Sequence, residues 1–241
     1  MEGKLNKLRS IIENSDNIVF FGGAGVSTES GIPDFRSSNG LYSSDYMEYN
    51  PEEILSHGFL IENTELFYQF YKDKIINLNA RPNNAHFALA ELERQGKLKC
   101  IVTQNIDGLH QRAGSKNVVE LHGNISRNYC VSCNKSYSLS YIVETRGIPK
   151  CSCGGLVRPD VVLFEENLDL EKIDVATKAI KEAKTLIVAG TSLSVYPAAD
   201  LVKQYQGDEY IIINLSRTNE DRRANLVIYD NVSEILWMVI E

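Results

Sequence analysis

The run IVFFGGAGVSTESGIPDFR, residues 18 to 36, passes from four consecutive apolar residues into a glycine-rich loop. An apolar run this short, bounded by Asn17 and Gly22, reads as a strand buried on both faces, the kind that parallel sheets contain. Gly23, Ala24 and Gly25 then allow backbone N–H groups to approach a phosphate closely, and a following helix start favours negative charge. The dinucleotide fingerprint G-x-G-x-x-G is incomplete, because Thr28 holds the third glycine position. The acidic residue that should end a second strand about 20 positions later is missing as well. Asp45 and Glu48 fall in a polar loop instead. The loop therefore points to a nucleotide, but away from ordinary hydride transfer. Taken alone, a glycine-rich turn with no ligand accounts for it equally well.

The same alternation extends on both sides. Leu5, Leu8, Ile11 and Ile12 recur at helical spacing before the first strand. NAHFALAELERQG (84 to 96) reads as a helix closed by Gly96, and CIVTQN (100 to 105) as the next strand. Asp169 opens a helix carrying Leu170, Ile173, Ile180 and Ala183, and TLIVAG (185 to 190) follows. Strands alternating with helices give a doubly wound α/β fold with a mostly parallel, Rossmann-like sheet. Two stretches break the pattern. Residues 36 to 78 hold a polar loop and an aromatic-rich helical segment, and residues 124 to 158 hold paired cysteines among Ser, Asn, Gly and Lys. The expected organisation is a Rossmann-like domain from 1–35, 79–123 and 159–241. The helical insertion 36–78 and a zinc-binding module 124–158 form a small lobe, with a cleft between the lobes.

Composition is consistent with this. The chain has 241 residues, 43% hydrophobic and 24% charged, with 16 Gly and 6 Pro, which excludes collagen-like, coiled-coil and wholly disordered chains. A net charge of −7 argues against general nucleic-acid binding, which rests on neutralising phosphates. The longest apolar stretches fall far short of the roughly 20 residues that span a bilayer, so no membrane partner is expected. MEGKLNKLRSIIENSD lacks the apolar core of a secretion signal, so the expected location is a reducing cytoplasm.

In an open α/β sheet, ligands bind beyond the carboxyl ends of the strands. Here IVFF is followed by GGAGVSTESGIPDFR, IVT by QNIDGLH (104 to 110), VVEL by His122-Gly123, LIVA by GTS (190 to 192), and YIII by Asn214. Five strand ends thus offer amide, hydroxyl, carboxylate and imidazole groups to one crevice. His122 suits a general base near neutral pH, although by itself a strand-capping histidine is the plainer reading. His57, His86 and His110 have weaker claims, and His86, beside Phe87 and Leu89, is expected to be a packed or surface residue. Asn105 and Asp107 suit ribose hydroxyls or a carboxamide, yet the same residues also form turns.

Cys130 and Cys133 are separated from Cys151 and Cys153 by 17 residues, which gives four thiolates in two knuckles. That is the donor set of a structural tetrahedral zinc site, with no open position for catalysis. Cys100, inside an apolar strand, reads as a small buried residue.

These segments together resemble the sirtuin family of NAD-dependent protein lysine deacylases. The likeness is carried by GAGVSTESGIPDFR (23 to 36), TQNIDGLHQRAG (103 to 114), ELHG (120 to 123), the cysteine pairs, RPDVVLFEE (158 to 166), GTSLSVYPAA (190 to 199) and IIIN (211 to 214). The resemblance implies that Ala24, Thr28, Phe35 and Arg36 surround the pyrophosphate and nicotinamide ribose, with Phe35 shielding the ribose carbon from water. It implies that Ile106 and Asp107 hold the nicotinamide and that Gln104 and Asn105 lie at the ribose. Thr191, Ser192 and Asn214 fall to the adenosine half, with backbone near Val232 at the adenine. His122 and Asn105 are the implied catalytic residues. The acyl oxygen of a modified lysine attacks the ribose carbon as nicotinamide leaves, and His122 then takes a proton from a ribose hydroxyl, which attacks the resulting imidate. The products are lysine, nicotinamide and O-acetyl-ADP-ribose. The acetylated-lysine peptide is implied to add as a strand beside Val162, with Val162 and Phe164 lining an apolar tunnel.

Two residues depart from the family pattern. Glu165 stands where many relatives have Gly, adding charge and bulk at the peptide groove, and Gly22 replaces a threonine. No Arg accompanies Tyr68 and Tyr71 in the arrangement of the succinyl-selective branch, so short neutral acyl groups are expected. The alternative enzyme reading is a protein ADP-ribosyltransferase; a zinc-ribbon binding module or NAD sensor is the non-enzymatic one.

Overall fold

The computed structural model describes residues 1–35, 37, 40–43 and 45–240. Its strands are β1 (Ile18–Gly22), β2 (Leu98–Thr103), β3 (Val118–Glu120), β4 (Gly123–Cys130), β5 (Ser136–Ser138), β6 (Val157–Val161), β7 (Thr185–Ala189), β8 (Glu209–Ile213) and β9 (Leu226–Ile228). The α-helices are α1 (Glu2–Asn14), α2 (Pro51–Ile54), α3 (His57–Glu62), α4 (Thr64–Phe70), α5 (Asn84–Arg94), α6 (Leu109–Ala113), α7 (Leu139–Glu144), α8 (Leu170–Glu182) and α9 (Val232–Ile240). None of the helices is long and apolar enough to cross a membrane.

Six strands form a parallel sheet in the order β3-β2-β1-β7-β8-β9. Counted along the chain within this sheet, that is the 3-2-1-4-5-6 order of the Rossmann fold. The alternation of side chains divides its apolar residues between two faces. Ile18 and Phe20 join a core with Leu8 and Ile12 of α1, Leu89 and Leu92 of α5, and Ile235 and Leu236 of α9. Val19 and Phe21 point the other way, into a core with Ala176 and Ile180 of α8. Both faces are covered, which is why IVFF is apolar throughout.

The helices begin and end where the local chemistry directs. The Asp169 carboxylate accepts from Glu171 N–H at 2.9 Å and caps α8. At α5 the Asn83 amide oxygen accepts from Ala85 N–H at 3.0 Å, while His86 Nδ1 lies 3.2 Å from Asn83 N. This is a capping box with an imidazole in the usual place of Glu or Gln.

A second sheet, β5-β4-β6, is antiparallel. A third core unites Phe67, Tyr68, Phe70 and Tyr71 with Ile125, Ile142, Val157, Val161 and Leu163. Both irregular stretches of sequence thus feed one small apolar cluster, and β6 runs to Val161, past residue 158.

His86 is packed rather than on the surface. Its ring centroid lies 4.8 Å from that of His110, and both residues are fully buried. Burial pushes the imidazoles down to about 4 for His86 and, with His86 as a further cause, to about 3 for His110. Above the ordinary value of 6.5, neither the folded nor the unfolded chain protonates them. Below it, the unfolded chain takes protons that the folded one refuses, so stability is lost as pH falls from about 6.5 towards 4. Denaturant midpoints measured between pH 7 and 5 are expected to fall. His86→Gln, which keeps an acceptor for Asn83 N–H, should flatten the slope, and an unchanged slope would contradict this assignment.

Candidate active site

One register row crosses the large sheet. Glu120 pairs with Thr103, Thr103 with Gly22, Gly22 with Ala189, and Ala189 with Ile213. The strands are parallel, so the chain leaves this row on one edge, at Leu121, Gln104, Gly23, Gly190 and Asn214. Strand order reverses between β1 and β7, the switch point at which open α/β sheets bind ligands.

At that point two loops meet through bare backbone. Gly23 N–H donates to Ala189 O at 3.2 Å, and Gly25 N–H to Gly190 O at 2.8 Å. A β-carbon on Gly190 would lie 2.5 Å from Val26 N, and one on Gly25 would lie 2.8 Å from Gly190 Cα. Gly190 also takes φ 60°, in the left-handed region.

Polar side chains close around this contact. Asn105 Nδ2 donates to Gly23 O and to Ser27 Oγ, each at 3.1 Å. Ser27 Oγ donates to Asp107 Oδ2 at 2.7 Å, and Asp107 Oδ1 accepts from Leu109 N–H at 2.8 Å. Burial lifts the Asp107 carboxyl above its ordinary range, against the pull of those two donors. Gln104 Nε2 donates to Thr191 Oγ1 at 3.0 Å, linking the loops after β2 and β7.

His122 stands in the tight turn between β3 and β4. Its Nδ1 lies 2.8 Å from the carbonyl oxygen of Gln104. A carbonyl only accepts, so Nδ1 carries the hydrogen and Nε2 keeps its lone pair. Burial holds the imidazole below its ordinary 6.5, with the Gln104 carbonyl opposing. The group is therefore a neutral base at physiological pH.

Next to it runs the segment from Arg158 to Glu166. Val162 N–H donates to His122 O at 2.9 Å, and Phe164 exchanges backbone bonds with Leu55 and His57. Arg158 binds both oxygens of Glu166, which also accepts from Leu163 N–H at 2.9 Å and lies 2.8 Å from His57 Nδ1. Burial raises the Glu166 carboxyl, but Arg158, Leu163 N–H and His57 together hold it down at about 2. Glu165 takes φ 73°, a backbone that glycine adopts freely, and its carboxylate accepts from Gly58 N–H at 2.9 Å. This long-range bond to α3 compensates for a conformation that a Glu disfavours.

The four knuckle cysteines are free thiols whose sulfurs all lie within 4.8 Å of one another. Cys130 and Cys153 are 3.5 Å apart, and Cys133 and Cys151 are 3.6 Å apart. A tetrahedron of Zn–S bonds near 2.3 Å has edges of about 3.8 Å, so the four thiolates fit zinc.

Comparison with known proteins adds a lineage to this geometry. Residues 23–197 match the model of the Sir2 family. The chain belongs to the Sir2 family. It is 57% identical over 244 residues to the NAD-dependent protein deacetylase of Clostridium perfringens, with 100% of both chains covered. It is 58% identical over 240 residues to the enzyme of the same name from Clostridium acetobutylicum, with 98% of both chains covered. A solved Sir2 structure with a p53 peptide and NAD+ superposes with a TM-score of 0.86 at 40% identity, covering 98% of this chain and 96% of that one. Another Sir2 structure, with deacetylated p53 peptide and 3′-O-acetyl ADP ribose, gives 0.88 at 40% identity, covering 96% and 95%.

In this Sir2 chain the candidate residues fall as follows. Ala24 and Thr28 are half-buried in the loop after β1, and Thr28 Oγ1 donates to Gly25 O at 3.2 Å. Phe35 is partly exposed with its ring centroid 5.3 Å from that of Tyr42. Arg36 lies outside the described residues. Ile106 is partly buried and packs against the third core, with Phe67 and Ile125. Asn214 is buried, with Nδ2 donating to Ser216 O at 2.9 Å, and Ser192 is exposed, its Oγ 2.7 Å from Ser194 Oγ. Val162 packs against the core on the α8 face, and Phe164 is 38% exposed. Val232 opens α9, and its side chain is buried in the core of the large sheet. Ser27 was not singled out from sequence, although it bridges Asn105 and Asp107; its place three residues after Ala24 in an apolar-flanked loop was the available signal. Gly190→Ala is expected to cost about 2 kcal/mol or more, as strain at a special φ with a clash does; an unchanged urea midpoint would refute the close contact. Treating the protein with a strong zinc chelator should unfold β5-β4-β6 while the parallel sheet persists, which hydrogen exchange resolves strand by strand.

Proposed function

We propose that this chain removes acetyl groups from protein lysines in an NAD-dependent reaction, releasing nicotinamide and leaving the acyl group on ADP-ribose. The reaction is thus chemically a transfer, with acetylated-lysine proteins or peptides as substrates. The observation that carries this reading is the fixed tautomer of His122. A base that keeps Nε2 free by donating Nδ1–H to Gln104 O is set to take a proton, a role that nucleotide binding alone does not require. NAD, when bound, supplies a ribose carbon activated by its nicotinamide leaving group.

The chain's residues divide the remaining work. The Gly23–Gly25 backbone and the loop with Ala24, Thr28 and Phe35 accommodate the pyrophosphate side. Arg36 is assigned to the same region. Ser27 orients Asp107, whose carboxyl, with Ile106, is assigned to a carboxamide, and Asn105 and Gln104 are assigned to the ribose. Thr191, Ser192 and Asn214 serve the adenosine half, with backbone near Val232. Cys130, Cys133, Cys151 and Cys153 hold zinc for folding. An acetylated peptide adds as a strand along the cleft by Val162 and Phe164. A relative seen with deacetylated peptide and acetyl ADP-ribose together supports acyl transfer over ADP-ribosylation of protein. Five cysteines, none in a disulfide, suit a reducing cytoplasm, which cell fractionation tests.

His122→Ala is expected to lower deacetylation roughly 100-fold or more while NAD binding by calorimetry stays near the wild-type value. Full turnover in that variant would sink the assignment. Because burial lowers the His122 pKa, the base form is populated above a midpoint that lies below 6.5. The acid limb of the kcat profile should therefore fall below pH 6.5, and a limb above that value would contradict the site.

A further inference from the structure

Glu120 is a carboxylate with only 7% exposure at the end of β3, two residues before His122. Three side chains from separate directions donate to it. Gln111 Nε2 of α6 reaches Oε1 at 2.8 Å, Arg127 of β4 reaches Oε2 at 2.8 Å, and Asn124 Nδ2 reaches back to Oε1 from four residues on. The last bond closes the turn 120–124 with His122 at its apex. Asn124 is itself 5% exposed, its Oδ1 accepts from Ser126 N–H at 2.8 Å, and its Nδ2 would lie 3.0 Å from a β-carbon on Gly108. Gly123, inside the turn, takes φ 82°, and a β-carbon there would lie 2.0 Å from Asp160 O. Arg127 also donates to Asp160 Oδ2 at 2.8 Å, so the closed turn is fastened to β6.

We propose that the Glu120–Asn124 bond is a clasp that sets the position of His122, making both residues positioning groups for the base-dependent half of the reaction. The proposal rests on the deacetylase reading above. Neither residue belongs to the set assigned to NAD or peptide. Each acts through the backbone: the clasp fixes residues 120 and 124, the bare Gly123 lets the turn approach β6, and Val162 N–H holds the His122 carbonyl. With its backbone fixed, the imidazole needs only the Gln104 carbonyl to define its tilt and tautomer. A buried carboxylate with several donors suits this task, because losing one donor leaves costly uncompensated charge.

The two halves of the reaction separate the clasp from a merely structural role. Nicotinamide departs without help from a base, so exchange of labelled nicotinamide into NAD, in the presence of acetylated peptide, reports a step that does not need His122. Deacetylation does need it. Asn124→Asp keeps size and the acceptor for Ser126, but removes the donor and sets two carboxylates together. Small misplacements of reacting groups cost about 100-fold, so deacetylation in Asn124→Asp is expected to fall at least about 10-fold with exchange within about threefold of wild type. Adding Glu120→Gln to that variant reverses donor and acceptor, with the exposed Gln111 amide turning its oxygen to the new NH2 group, and should restore most turnover. In the ligand-free protein, the imidazole NMR spectrum should show the Nδ1–H form of His122 in the wild type, a mixed tautomer and a pKa nearer 6.5 in Asn124→Asp, and recovery in the double variant.

Equal losses of exchange and deacetylation, no loss, or no rescue by the double variant would each overturn the clasp. Should Asn124→Asp fail to fold, Asn124→Ser gives the same comparison with a shorter side chain. If the wild-type chain shows neither exchange nor deacetylation, the functional reading fails, and the His122 spectrum still judges the clasp.

Discussion

The loops that follow β1 and β7 are joined by backbone hydrogen bonds between glycine segments, and the polar arrangement beyond the sheet is built on that contact. Gly25 N–H reaches Gly190 O only because neither residue carries a β-carbon. The contact brings the Gly23 carbonyl within reach of Asn105, and through Ser27 it fixes the direction of Asp107. It also puts Thr191 beside Gln104, whose backbone carbonyl in turn sets the tautomer of His122. Four loops thus take their positions from one close approach of two glycine segments, itself dictated by adjacent parallel strands in register.

Environment then gives chemically similar groups different states. Glu166, beside Arg158 and two further donors, is held ionised far into acid, whereas the Asp107 carboxyl, more deeply shielded and with two donors, is pushed the other way. His122 is kept neutral by burial with one nitrogen committed as a donor. His86 and His110 are also kept neutral, but inside the scaffold, where His86 completes a helix cap instead of meeting a ligand. Position, not protonation state, thus separates the imidazole at the strand ends from the two that serve packing.

Much of this was legible from residue order. The strands β1, β2, β7 and β8 stand out because buried parallel strands are apolar on both sides, and α5 and α8 because their caps and apolar spacing agree. The cysteine knuckles declare themselves by spacing. β9 and α9 did not stand out: the strand has only three residues, and the helix is apolar over so much of its length that its periodicity is blurred. Nor did spacing reveal Ser27, the His86–Asn83 cap or the turn closed by Glu120 and Asn124. Ser, Asn and Glu occur in most loops, and only the partner identifies their work.

The sequence by itself determined the strand-helix alternation, the glycines at the strand ends, the four thiolates and the imidazole after β3. These follow from chemistry local to a few residues: where apolar groups recur, where bare backbone is required, and which atoms bind a soft metal. The tertiary structure decided which donors meet which acceptors. Residue 105 bonds to 23 and 27, 104 to 191, 120 to 111 and 127, and 158 to 166. Those pairings arise only when the sheet register aligns the strand ends, because burial then forces each polar group to find a partner or lose the water it had.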